Sequence, residues 1–194
     1  MKNLEIKCRV TSFDALRRAL ETLGAVRQAP VLRQVDWYFR VPQGRLKLRQ
    51  ENGGPGELIF YVRPCTPGHR LSAWDRSSIP DVSATRSLLA KALDEVTCVR
   101  KSREVWLFRN ARIHLDRVST LGAFVEIEVE VRRGARQARA LMDMLVGALR
   151  LSPSESIGGS YADLCVGRPG NRFRRRRPPT VRLKTSATGT VPNR

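Results

Sequence analysis

The sequence predicts an α+β chain whose antiparallel strands close into a barrel, with amphipathic helices packed on the outside. Three observations lead there. Run after run alternates apolar and charged residues strictly, the period of a strand whose successive side chains point to opposite faces. The runs follow one another at hairpin spacing, as in an antiparallel sheet or barrel. Their charged faces are segregated by sign, basic on some strands and acidic on another, where solvent faces would mix Thr, Ser, Gln and Lys. A sheet closed with its apolar face outward under helices and its charged face around an aqueous lumen accounts for all three.

Taken in order, NLEIKCRV (Asn3 to Val10) sets Leu4, Ile6, Cys8 and Val10 against Glu5, Lys7 and Arg9. Ser12 can cap a first helix through Phe13, Leu16, Leu20 and Leu23, with Gly24 as its stop. A meander follows: Val35 to Val41, the turn at Pro42 to Gly44, Arg45 to Glu51, the Gly-rich NGGPG turn, and Glu57 to Arg63. In it Lys47, Arg49 and Glu51 oppose Leu46 and Leu48, and Tyr61 and Arg63 oppose Phe60 and Val62. An eighth short strand fits the stretch from Pro64 to Ile79. A second helix spans about Ser83 to Asp94, through Leu88, Leu89, Ala92 and Leu93. Three more strands run from Val99 to Arg109, Ala111 to Val118 and Ala123 to Val131. They carry Lys101 with Arg103, then Arg112, His114 and Asp116, then Glu126, Glu128 and Glu130. A third helix, about Ala135 to Leu149, aligns Ala138, Leu141, Met142, Leu145 and Leu149 on one stripe.

With 194 residues the chain suits one substantial domain. No apolar stretch approaches the roughly 20 residues that span a bilayer, and MKNLEIK has no hydrophobic signal segment. A cytosolic protein is expected, or a nuclear one if the Arg174 to Arg177 run serves as an address. Cys8, Cys65, Cys98 and Cys165 are scattered without a C-x-x-C pair, so they read as reduced thiols rather than a disulfide or zinc framework. The formal charge is +18. Residues 168–194 hold nine of the 36 cations and no acid, leaving 27 cations against 18 acids in the first 167. That division sets the expected domain at 1–167 and a basic, disordered tail at 168–194, rich in Pro, Gly, Ser and Thr. Such a tail can touch nucleic acid or an acidic surface without sequence preference. The excess on the folded part points instead to a polyanionic ligand. Self-association, a homodimer included, is left open.

Several chemistries lack their residues. There is no G-x-x-x-x-G-K-[ST] loop, no G-x-G-x-x-G after a strand, no H-E-x-x-H and no G-x-S-x-G. Of the two histidines, His69 sits beside Pro67 and Gly68 as a loop residue, and His114 reads as a polar group inside the lumen. Clustered cations in a lumen suit a polyphosphate, and carboxylates beside them suit Mg²⁺ or Mn²⁺, which prefer oxygen ligands and bridge phosphates.

One set of residues carries a resemblance: E-x-K at Glu5 and Lys7, K-x-R at Lys47 and Arg49 and again at Lys101 and Arg103, Arg63, Asp116, then E-x-E at Glu126 and Glu128. In that order they resemble the CYTH family of triphosphate tunnel enzymes, which includes class IV adenylyl cyclases, thiamine triphosphatases and inorganic tripolyphosphatases. The resemblance covers about Met1 to Leu164. The stretches VDWYFRVPQGRLKLR and RIHLDRVSTLGAFVEIEVE look most like the cyclase branch. It implies an eight-stranded antiparallel tunnel in which Lys7, Lys47, Arg49, Arg63, Lys101, Arg103 and Arg112 bind phosphate oxygens. Glu5, Glu126 and Glu128 would ligate Mg²⁺ or Mn²⁺, and Lys7, Lys101 and Asp116 would serve catalysis, Asp116 by supporting the metal or a water. Arg9 and Arg112 share the inward face but could equally pair with Glu51 and Glu130. The implied activity is conversion of ATP to cyclic AMP and pyrophosphate, with tripolyphosphate, thiamine triphosphate or nucleoside triphosphate hydrolysis as the alternative, and a non-catalytic polyphosphate or nucleotide binding module as a further one. The chain departs from the family's opening E-x-E-x-K at Asn3, whose amide brings no charge to a metal.

Overall fold

The computed structural model describes residues 2–62, 68, 70–132 and 134–167. Strands β1 (Lys2–Val10), β2 (Val26–Phe39), β3 (Arg45–Glu51), β4 (Gly56–Val62), β5 (Arg70–Ile79), β6 (Glu95–Phe108), β7 (Ala111–Val118) and β8 (Gly122–Glu130) close into one barrel. Around the ring their order is β1-β5-β4-β3-β2-β6-β7-β8, and every neighbouring pair is antiparallel. Helices α1 (Asp14–Thr22), α2 (Val82–Ala92), α3 (Ala135–Ala148) and α4 (Tyr161–Val166) complete the fold. No helix among the described residues is long and apolar enough to cross a membrane.

The apolar side chains of the alternating strands face outward into a core shared with the helices. Ile6, Ile113, Val125 and Ile127 pack with Leu16 and Leu20 of α1 and with Leu141, Met142 and Leu145 of α3. Each such fully buried side chain contributes about 2 kcal/mol, which is what fixes the register: a slip of one residue would turn every charge outward. A smaller outer core joins Trp37, Phe39 and Leu48 to Val82 of α2. Glu104 interrupts the apolar outer row of β6 and is met by Arg17 of α1, with Nε 3.2 Å from Oε2.

The eighth strand is full-length rather than short, at Arg70–Ile79. β2 and β6 begin at Val26 and Glu95, well before the expected Val35 and Val99. They pair along this added length, with a register shift between Gln28 and Leu32. Pro30 sits in that shift without an N–H to give the ladder, and the flanking residues are exposed, so the segment shows no alternation to read. At α1 the cap position is Phe13 rather than Ser12 and makes no side-chain cap bond; Ser12 Oγ, one residue earlier, accepts from the Asp14 N–H at 3.2 Å, and Gly24 ends the turn at φ 74°. α2 stops at Ala92 because Leu93 is already extended.

The fourth helix was not anticipated, and it is not wholly external. Ser160 and Asp163 form a capping box at its start. From there Tyr161 and Ala162 pack against the inward-facing Tyr38, Val99, Val118 and Phe124. The SIGGSYADL stretch therefore belongs to the lumen.

Candidate active site

Alternation turns Glu5 and Lys7 of β1, Lys47 and Arg49 of β3, Lys101 and Arg103 of β6, Arg112 of β7, and Glu126 and Glu128 of β8 onto one cavity of about 180 Å³. β3 and β8 lie on opposite sides of the ring, so the Lys47 pair faces the Glu126 pair across the lumen. Asn3 lines the same cavity and is the register partner of Glu130.

Two arginines are held by the same device. Arg103 is opposite Asp116 on β7 and grips it with both ends of its fork, Nε to Oδ1 at 2.7 Å and Nη2 to Oδ2 at 2.6 Å. Arg49 is opposite Asp36 on β2 and does the same at 2.7 and 2.8 Å. Each unit also carries the lysine two residues earlier: Lys101 Nζ lies 3.5 Å from Asp116, and Lys47 Nζ 3.4 Å from Asp36. Two cations over one carboxylate leave each unit net positive, with the guanidinium locked in orientation.

Asp116 is fully buried, and Tyr161 donates its hydroxyl to Oδ2 at 2.9 Å. Its oxygens are therefore committed to Arg103, Lys101 and Tyr161, a position from which it orients cations. Arg103 also reaches Glu126 Oε2 at 3.0 Å, and Lys7, the cross-strand partner of Glu126, reaches Oε1 at 2.9 Å. The Tyr161 ring lies 4.2 Å from Lys7 Nζ and 5.1 Å from Lys101 Nζ, offering its negative face to both ammoniums.

Burial and neighbouring charge set the protonation balance. Burial lowers the Lys101 ammonium to about 7, aided by Arg103 and opposed by Asp116. Burial and Arg49 lower Lys47 to about 8 against the pull of Asp36. Burial pushes Asp36 and Asp116 up, but Arg49 with Lys47, and Arg103 with Lys101, hold both below the usual carboxylate range. Glu126 is likewise held well down, by Lys7, His114 and Arg103 against burial.

The groups able to hold a divalent ion are gathered on one side. Glu128 stands directly across from Glu5 in the β1–β8 register, and Glu126 lies two residues along. Neighbouring carboxylates of this kind fit a hard cation, which offsets their mutual repulsion.

Of the anticipated residues, Arg63 lies outside the described residues, as do His69, Cys65 and the tail from 168 onward. Arg9 is exposed, donates to the Leu121 carbonyl and stacks on Phe124. Glu51 accepts from Gln34, and Glu130 from Arg132. Sequence reading missed Asp36, Tyr38, Trp74, Arg76 and Tyr161, and set Tyr61 on the inward face without giving it a role. Asp36 and Tyr38 alternate with Val35, Trp37 and Phe39 in VDWYF, a signal of the kind used elsewhere in the chain. Tyr161 carried none, because a six-residue helix has no period to read.

A family model for the CYTH domain matches residues 1–155. No curated protein matches the chain. Among solved structures, the PH1012 protein of Pyrococcus horikoshii OT3 is 22% identical with a TM-score of 0.74, covering 84% of this chain and 98% of that one. A candidate adenylate cyclase of Vibrio parahaemolyticus is 18% identical with a TM-score of 0.66, over 84% and 96%. A candidate adenylyl cyclase of Hippeastrum, described as having a dominant triphosphatase activity, is 17% identical with a TM-score of 0.55, over 82% and 91%. These likenesses establish the shared barrel, and with a family match over four-fifths of its length the chain belongs to the CYTH domain family.

Proposed function

We propose that this protein is a divalent-metal-dependent enzyme that holds a triphosphate in the barrel lumen and, like a class IV adenylyl cyclase, converts ATP to cyclic AMP and pyrophosphate. One observation carries the reading: Lys7, Lys47, Arg49, Lys101 and Arg103 converge from three strands on a single cavity that also holds Glu126 and Glu128. Arg112 and Arg63 would extend the cationic lining, and Glu5, Glu126 and Glu128 would hold Mg²⁺ or Mn²⁺. When bound, the ion supplies charge neutralisation to phosphate oxygens. The protein's share is positioning and fixed positive charge, which is most of what phosphoryl chemistry asks. In the cyclase direction the ribose 3′-hydroxyl attacks the α-phosphorus, and Lys7 and Lys101 would stabilise the departing pyrophosphate. Asp116 would act through Arg103 and Lys101, holding them in place. Ile59, Tyr61 and Trp74 add an apolar and aromatic wall to the same cavity, which suits a nucleobase.

A second reading is hydrolysis, with water attacking the terminal phosphorus of a triphosphate. It is favoured by the triphosphatase activity of the Hippeastrum neighbour and by Asn3, which removes one carboxylate from the family's metal side. In either case we assign the tunnel to residues 1–167 and leave 168–194 as a basic appendage able to touch polyanions.

The deciding experiment incubates the purified chain with ATP or with tripolyphosphate, plus Mg²⁺ or Mn²⁺, and resolves cyclic AMP, pyrophosphate and orthophosphate. We expect cyclic AMP from ATP, reduced about 100-fold or more by Glu126→Gln. Orthophosphate as the sole product moves the protein to the triphosphatases. Binding without turnover makes it a polyphosphate-binding module.

A further inference from the structure

His114 has no role in the reading above, yet it occupies the most telling position on the acidic side of the lumen. It is the cross-strand partner of Glu126 in the β7–β8 register, and its side chain is more than nine-tenths buried. Its Nδ1 has no hydrogen-bond partner. That atom lies 3.8 Å from Glu126 Oε2 and 3.7 Å from Glu128 Oε1, too far for a hydrogen bond to either. One ligand atom from each of the three residues nevertheless falls within 4.8 Å of the others.

A buried imidazole nitrogen without a partner costs free energy unless something satisfies it. That of His114 stands off from two carboxylates at once. An ion at the centre resolves both facts. Donors at right angles on one ion, each about 2.1 Å from it, lie about 3 Å apart, so sub-ångström side-chain movements would close the set.

We propose that His114 is a metal ligand, completing a one-histidine, two-carboxylate site with Glu126 and Glu128, and that its nitrogen makes the site prefer Mn²⁺ to Mg²⁺. Mg²⁺ takes oxygen ligands and dehydrates reluctantly, whereas affinity for mixed nitrogen and oxygen sites rises through the first-row series beginning at Mn²⁺. This inference rests on the metal dependence proposed above and adds to it the identity of the third ligand and of the ion.

The test uses the full chain and Mn²⁺ alone. Bound Mn²⁺ is titrated by electron paramagnetic resonance, and its ligands are read by electron spin-echo modulation, which detects a coordinated imidazole nitrogen. We expect one nitrogen coupling in the native chain, absent in His114→Gln, together with about tenfold weaker Mn²⁺ binding and little change in Mg²⁺ competition. Glu128→Gln should weaken both ions. Circular dichroism checks that the variants fold; should His114→Gln not fold, His114→Asn takes its place. Bound Mn²⁺ without nitrogen coupling overturns the inference and leaves the functional reading standing, as does a coupling that survives His114→Gln. A folded native chain that binds no Mn²⁺ overturns both.

Discussion

Asp36 shows how a carboxylate can serve a cationic site by fixing the cations that line it. It is 1% exposed and locks the Arg49 fork, as Asp116 locks that of Arg103. Removing one partner of a buried pair strands the other charge, so Asp36→Ala should lower stability by about 3–5 kcal/mol in denaturant unfolding. A loss under about 1 kcal/mol would show that Arg49 finds solvent when released. The lysines of the two units behave differently from their arginines, because burial leaves Lys101 near 7 and Lys47 near 8. A polyanion between them raises both values, so tripolyphosphate binding at pH 8 should take up protons. Calorimetry in buffers of different ionisation enthalpy reads this directly, and Lys101→Arg should reduce the uptake. An enthalpy independent of buffer would mean that both lysines are already charged.

Among the elements, the short α4 has effects beyond its length. Tyr161 joins the inward-facing aromatic cluster, meets Phe124 edge-on at 5.0 Å and donates to Asp116. Tyr161→Ala should therefore cost about 3–5 kcal/mol, as large-to-small changes in cores do. Tyr161→Phe, which loses only the hydroxyl, should cost about 1 kcal/mol and loosen Asp116. Equal losses in the two variants, measured by thermal unfolding, would place the stabilisation in the hydrogen bond rather than the ring. Close approach matters at β4 as well. A Cβ at Gly56 would meet the Arg49 carbonyl oxygen at 2.6 Å and Val82 at 2.7 Å, so only glycine allows β3, β4 and α2 to come together there.

For the molecule as a whole, the lumen charges make stability a function of pH in two windows. Asp36, Asp116 and Glu126 titrate lower in the folded chain than unfolded, so they stabilise above about pH 4 and that contribution is lost as pH falls through their folded values. Lys47 and Lys101 also titrate lower when folded, but for a base the sign reverses. The unfolded chain binds more protons between their folded values, about 8 and 7, and the ordinary 10.5. Their penalty is fully present below pH 7 and fades as pH rises toward 10. Unfolding free energy of the ligand-free protein should thus fall below pH 4 and gain from pH 7 to 10. A flat or falling curve over the upper window would contradict the burial of the two lysines.

Much of this was legible in the chain because a strand writes its two faces alternately. Leu4, Ile6 and Cys8 against Glu5 and Lys7, repeated strand by strand, determined a closed antiparallel barrel, an outward apolar face and a charged lumen, along with most of the charged residues that line it. Period carries no such message for a strand exposed on both sides, as at Val26 to Arg33, or for a helix of six residues, as at Tyr161. Nor does sequence say which charge meets which. That Asp116 turns to Arg103, that Asp36 on β2 mirrors it with Arg49, and that the Nδ1 of His114 lies without a hydrogen bond between two glutamates were decided by register and by barrel closure. Those bring β1, β6, β7 and β8 within hydrogen-bonding reach although more than a hundred residues separate the first from the last.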